Sequence, residues 1–279
     1  MYNSYNFRRD NLESRLDSIE VLVLGSSQAA EGIDPSFFSQ KGFNLANVSQ
    51  SLFYDTRLAL RYVRKMPRLK YVVITMSYFT LGYEVHDGVE SWKDEFYSQF
   101  WGIDYPELSL FDLKRYSKVA LYGPSQAMSY FGRRFKSDLI QGLSRDGYLR
   151  IDTTNYGNSI NDSLGRIRIK LHDKMFSTKR VQANARDFDC LVNELTKRRI
   201  VPLIVTAPVF STYSKFADKG KLRLNDSIIR CICSKYGCKY FDYFTDKRFE
   251  KEDFLDNDHL NFIGAEKFSR MINEEVLQN

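Results

Sequence analysis

The segment Gly25-Ser26-Ser27-Gln28 follows four aliphatic residues and leads into Gly32-Ile33-Asp34-Pro35. A serine at such a strand-to-helix turn presents its hydroxyl outward, and the first amides of the helix face any anion that develops beside it. A serine there can equally cap the helix or hold a phosphate. Toward the other end, Leu255-Asp256-Asn257-Asp258-His259-Leu260-Asn261 contains one of only three histidines, with Gly264-Ala265 just beyond. Asp256 lies three residues before His259, so its carboxylate can hold one imidazole nitrogen and fix the tautomer, leaving the other for a serine proton. Alternatively, Asp256 or Asp258 caps the helix that follows. If serine, histidine and carboxylate converge, they supply the nucleophile, base and orienter of a covalent serine catalyst. A carboxylate partner places the titration of that base near ~6.5 or somewhat above.

These two loops can meet only if the chain between them builds the right scaffold. The apolar runs at 19–24, 71–76 and 200–206, and more weakly 43–46 and 239–243, are short, continuous and rich in β-branched residues. Strands apolar on both faces belong inside a parallel sheet covered by helices. Helical spacing appears at 56–65, 181–198 and 222–236, and from Phe262 to about Leu277. The alternation predicts a doubly wound α/β fold with a mainly parallel five-stranded sheet, helices on both faces and right-handed crossovers. Ligands of such sheets sit beyond the carboxyl ends of the strands, where both loops fall. No repeat or linker marks a boundary, so a single domain is expected. Residues 83–180 interrupt the alternation and read as a helical capping insertion, with a helix around 110–131. This insertion is rich in aromatic and basic residues, Trp92, Trp101, Tyr105, Tyr122, Tyr130, Arg133, Arg134, Arg166 and Arg168; its Trp and Tyr residues suit stacking on sugar rings, and Arg133, Arg134 and Arg166 suit an acidic sugar.

The Gly-Ser-Ser turn with Gly-Ile-Asp-Pro beyond it, together with Asp-x-x-His-Leu-Asn before the last helix, resembles the first and last blocks of the SGNH (GDSL-type) hydrolase superfamily. Among its branches, the carbohydrate O-acyl esterases and O-acetyltransferases are the most similar. The resemblance covers about 18–76 and 200–277 and implies a flavodoxin-like strand order. It implies Ser27 as nucleophile, His259 as base and Asp256 as orienter. Oxyanion donors in that family come from a glycine after strand two and an asparagine after strand three. Ser49 stands where the glycine falls, and Ser77 or Tyr78 replaces the asparagine. The implied activity is hydrolysis or transfer of a small acyl group, acetyl above all, on a carbohydrate, with no cofactor and no metal. A non-catalytic carbohydrate-binding or assembly protein on the same scaffold is the alternative.

Other signals are weaker. Gly123-Pro124-Ser125-Gln126-Ala127 approximates the Gly-x-Ser-x-Gly elbow, yet no strand precedes it. Cys231, Cys233 and Cys238 lack a nearby histidine and read as buried free thiols rather than metal ligands. The clusters Arg64-Lys65…Arg68…Lys70 and Arg166…Lys170, Lys174…Arg180 read as solvated faces. With 279 residues, 43% hydrophobic and 27% charged, the chain is long enough to bury a core without a disulfide or metal staple. Lys and Arg exceed Asp and Glu by six, which suits an anionic glycan without demanding one. No nucleic-acid motif is present. The longest apolar stretch, 200–210, contains two prolines and is too short to span a bilayer. The polar start shows no secretory signal, and reduced thiols fit a cytoplasmic location.

Overall fold

The computed structural model describes residues 3–109, 111–117, 120–121, 142–151 and 160–278. Five strands, β1 (Val21–Leu24), β2 (Gly42–Asn44), β3 (Tyr71–Thr75), β4 (Val201–Thr206) and β5 (Lys239–Asp242), form one sheet in the order β2-β1-β3-β4-β5. All four pairings are parallel, with Val21 opposite Gly42 and Tyr71, Tyr71 opposite Val201, and Leu203 opposite Lys239. Strand order reverses between β1 and β3, so a crevice opens at their carboxyl ends. The helices named below are α1 (Ser4–Glu13), α2 (Ser27–Gly32), α3 (Leu52–Tyr62), α4 (Lys93–Phe96), α5 (Asp162–Met175), α6 (Thr178–Lys197), α7 (Ser211–Ser214), α8 (Lys219–Tyr236) and α9 (Phe262–Met271).

The strands divide the core in two because successive side chains leave on opposite faces. Val21, Val23, Val73 and Val205 pack with Ala29, Ala30 and Phe268 under α2 and α9. Leu22, Leu24, Val72 and Ile74 pack with Leu58, Phe188, Leu191 and Leu195 under α3 and α6. In α6 the buried Phe188, Leu191, Val192 and Leu195 recur at helical spacing and form one apolar stripe. Truncating a side chain as fully enclosed as Phe268 costs about 3–5 kcal/mol.

Several expectations change in detail. The helix expected at 56–65 begins at Leu52 and passes into a 3₁₀ turn at Val63–Lys65. The last helix holds α geometry only to Met271, then widens into a π turn over Ile272–Val276. The polar start forms α1, capped by reciprocal bonds between Asn3 and Asn6, and buries Tyr5, Arg8 and Leu12. The aromatic interruption is core as much as cap. Trp101 and Tyr105 are buried, with Trp101 edge-on to Tyr62 and Tyr105 stacked on His86, so neither is free to stack on a sugar. Trp92 is half exposed. The expected helix at 110–131 falls largely outside the described residues, as do Tyr122, Ser125, Tyr130, Arg133 and Arg134. Of the four free cysteines only Cys233 is buried. Arg64, Lys65, Arg68, Lys70, Arg166, Lys170 and Lys174 face solvent. Among the described residues, no helix is long and apolar enough to cross a membrane.

Candidate active site

The turn after β1 is shaped by Gly25. At φ +140° it adopts a backbone that side chains disfavour, and a Cβ there would lie 2.9 Å from the Thr75 Cβ. The chain can therefore pass close over β3 and start α2 at Ser27. The two serines then part company. Ser26 occupies the N-cap position, makes no capping bond, and sets its hydroxyl 3.1 Å from the Ser77 hydroxyl. Ser27 is only partly buried, and its Oγ lies 2.8 Å from His259 Nε2.

His259 is buried, and its Nδ1 lies 3.0 and 3.1 Å from the two carboxylate oxygens of Asp256. The Asp256 carboxylate also accepts the N–H groups of Asp258 and His259, which fixes the loop around the ring. Capping of α9 falls to Asn261, whose side chain accepts from Ile263 and Gly264. This frees both aspartates from the capping role that composition alone allows. Burial opposes charge on the imidazole, but Asp258 and Asp256 outweigh it and lift His259 to about 9. Burial likewise pushes Asp256 upward, and the hydrogen bond and charge of His259 reverse this, holding it well below the usual carboxylate range. The expected titration near 6.5 is thus displaced, because a second carboxylate faces the ring.

That second carboxylate, Asp258, is 2% exposed and comes within 3.7 Å of His259 Nδ1. Its Oδ1 accepts from Arg168 Nε at 2.8 Å, and its backbone carbonyl accepts from Gln28 in α2 at 3.0 Å. His172, one turn beyond Arg168 in α5, shares its Nδ1 with the Tyr213 hydroxyl at 2.5 Å. Burial and the neighbouring charge of Arg168 press His172 down to about 3, so it is neutral near pH 7. Asp256, Asp258 and His259 offer ligand atoms within 4.8 Å of one another, as a cation site would. A guanidinium already occupies one side of that cluster, and the imidazole's own hydrogen bonds occupy the other.

The loop after β2 closes against the nucleophile turn: Asn47 donates to the Gly25 carbonyl, and buried Asp55 accepts both Gly25 N–H at 2.9 Å and the Gln50 amide at 2.6 Å. Between them, Ser49 adopts φ +57°, the left-handed conformation glycine takes freely and which costs another residue about 1–2 kcal/mol. The Tyr83 hydroxyl donates to the Ser49 carbonyl at 3.2 Å and helps hold this conformation. Ser77 is buried at the end of β3, its N–H held by Thr80 Oγ1. The Tyr78 hydroxyl turns away toward α5 and α8, donating to Asp173 at 2.7 Å and accepting from Asp218 N–H at 3.0 Å. As a side-chain donor Tyr78 is therefore already committed elsewhere. Ser77 and Tyr78 line a cavity of about 340 Å³ with Thr206, Asn225, Tyr240 and Phe244, beside the Ser26–Ser77 contact and lined by none of Ser27, Asp256 or His259.

Arg168, His172 and Asp55 are the site residues that sequence patterns did not single out as functional. Arg168 stood among the basic residues of the interruption with no motif around it. Its only distinguishing signal is position: in α5, Gly165, Ile169 and His172 form the buried face, and Arg168 lies on its flank.

The sequence profile of the DltD protein family matches residues 143–274, somewhat under half of the chain. The matched stretch contains Arg168, Asp256 and His259 and stops short of Ser27. No curated protein matches the chain. Solved structures similar to it include a candidate acylhydrolase from Bacteroides fragilis, at 10% identity and TM-score 0.47, covering 100% of this chain and 99% of the other. A GDSL-like lipase from Bacteroides thetaiotaomicron is similar at 10% identity and TM-score 0.45, with 99% of each chain covered. The fold class, a five-stranded parallel α/β sheet with helices on both faces, is defined by the chain's own strand order and register.

Proposed function

We propose that this protein cleaves or transfers a small acyl ester, acetyl in the first instance, on a carbohydrate through an acyl-Ser27 intermediate. One observation carries the reading: Ser27 Oγ, the two nitrogens of His259 and the Asp256 carboxylate form a continuous hydrogen-bonded line, with the serine at the partly open end. His259 would take the hydroxyl proton as Ser27 attacks the ester carbonyl and return it to the leaving alcohol. The backbone N–H groups of Ser27 and Ser49 are the donors proposed for the oxyanion. With the Ser77 N–H held by Thr80 and the Tyr78 hydroxyl by Asp173, neither stands ready as a third donor, and losing one such donor lowers rate by about 10²–10³ rather than abolishing it. The acceptor that attacks the acyl-enzyme, water or a sugar hydroxyl, decides between hydrolysis and transfer.

The test supplies an acetyl ester with and without oligosaccharides, neutral and acidic, and follows acetate release and sugar mass. Acetate or acetylated sugar that disappears in Ser27→Ala supports the reading. Turnover that survives Ser27→Ala contradicts it, and no turnover with any ester favours a binding protein on the same scaffold.

A further inference from the structure

Behind the imidazole lies an arrangement that a serine–histidine–aspartate line does not require. Asp256 alone suffices to orient His259, yet Asp258 brings a second carboxylate to the same nitrogen at 3.7 Å, almost wholly shielded from water. Two carboxylates against one buried ring favour the imidazolium strongly, and a base that never releases its proton cannot accept another. The titratable and charged groups around His259 are Asp256 and Asp258 from its own loop, Glu31 from α2, and Arg168 and His172 from α5. His172 is neutral and its Nε2 stands 3.9 Å from Asp258. Among the described residues, Arg168 is the cation in hydrogen-bond contact with this carboxylate.

We propose that Arg168 is a positioning residue which, by pairing with Asp258 behind the ring, sets the pH at which His259 can serve as a base. The fold holds it in place. Gly165, three residues earlier, lets α5 lie against α7 so closely that a Cβ would fall 2.0 Å from the Thr212 carbonyl oxygen. Thr212 in turn donates to Asn257 in the histidine loop. Arg168 thus arrives at Asp258 on a helix fixed to the same loop. It bonds through Nε alone, so one carboxylate oxygen is compensated while the other is left toward His172. The charge on Asp258 is reduced in effect without being removed, and its shape still packs against the ring.

This inference rests on the reading of His259 as the base, so its test has a readout independent of turnover. The three histidines are followed by NMR across pH 5–11 in the wild type, Arg168→Met, Arg168→Lys and Asp258→Asn, alongside thermal melts and ester turnover. Arg168→Met should raise the His259 midpoint by about one pH unit, which at neutral pH is about a tenfold loss of neutral imidazole and of rate, recovered as pH increases. Arg168→Lys should fall between that variant and the wild type, and Asp258→Asn should lower the midpoint. If Arg168→Met proves too unstable, the Lys and Asn variants carry the same comparison. A His259 midpoint that stays fixed in these variants overturns the proposal, as does a uniform loss of rate at every pH. Absence of ester turnover in the wild type, with the midpoints moving as stated, would instead refute the enzyme reading and leave the role of Arg168 standing.

Discussion

Ser26 and Ser27 are neighbours in the chain, yet their hydroxyls serve different partners: Ser27 faces His259 Nε2 at 2.8 Å and Ser26 faces Ser77 Oγ at 3.1 Å. The break between them is the start of α2, which rotates the second serine outward while the first remains under the end of β3. Ser27→Ala should therefore remove at least about 10³-fold of ester turnover, because without the nucleophile only binding and oxyanion contacts remain. Ser26→Ala should lose less than about tenfold. Steady-state rates for both variants check this, and a reversed ranking would mean the wrong serine has been assigned.

The pH dependence follows from His259. With its folded pKa lifted to about 9, only a minor fraction of the imidazole is neutral at pH 7, so turnover should climb through a midpoint near 9. Stability should run the other way. A histidine whose folded pKa lies above its unfolded value of ~6.5 contributes stability in full below that value and loses it as pH rises through about 9. Turnover rising while melting temperature falls over the same interval, with His259→Gln removing this part of the melting trend, is the expected pattern.

Asp256 and His259 should behave as one unit. Asp256→Asn leaves a side chain that can still bond to the ring but favours the wrong tautomer, so it should lose nearly as much rate as His259→Ala. The double variant should lose little more than the worse single. Additive losses in the four-way comparison would assign the residues separate tasks.

Asp55 ties the turn after β1 to the loop after β2, and burial pushes its carboxyl up to about 7 against the pull of its Gln50 and Gly25 hydrogen bonds. Burial also lifts Glu84 to about 7. A carboxyl with a raised folded pKa contributes stability that is complete below its unfolded value of ~4 and is lost as pH rises through the folded value. Melting temperature should therefore decline between about pH 4 and 7, and Asp55→Asn should flatten that decline. An unchanged slope in thermal melts would show that this carboxyl is not protonated in the folded state.

What the sequence made legible and what it hid have physical reasons. Four aliphatics in a row at Val21–Leu24, half of them β-branched and closed by Gly25, favour an interior strand over a helix, so the sheet is readable, and the reversal of order at β1 puts the Ser27 and His259 loops together. The Asp256–His259 spacing was local and therefore visible. Arg168 reaches Asp258 across 90 positions through the packing of α5 on α7, and no local pattern encodes that. Trp101 reads as a sugar-stacking aromatic because it lies in the interruption of the α/β pattern, but it is buried and edge-on to the Tyr62 ring, a contact made across 39 positions. The helix α1 is not legible as an apolar stripe because its buried face includes Asn6 and Arg8, the latter donating to the Ala46 carbonyl.

The central claim is that Ser27 is a nucleophile activated by His259. Its most direct test is labelling with a fluorophosphonate probe near pH 9, followed by intact-mass and peptide mapping. A single adduct on Ser27, absent in Ser27→Ala and strongly slowed in His259→Ala, is the predicted result; an adduct on Ser125 or another serine, or no adduct on a folded protein, would contradict it.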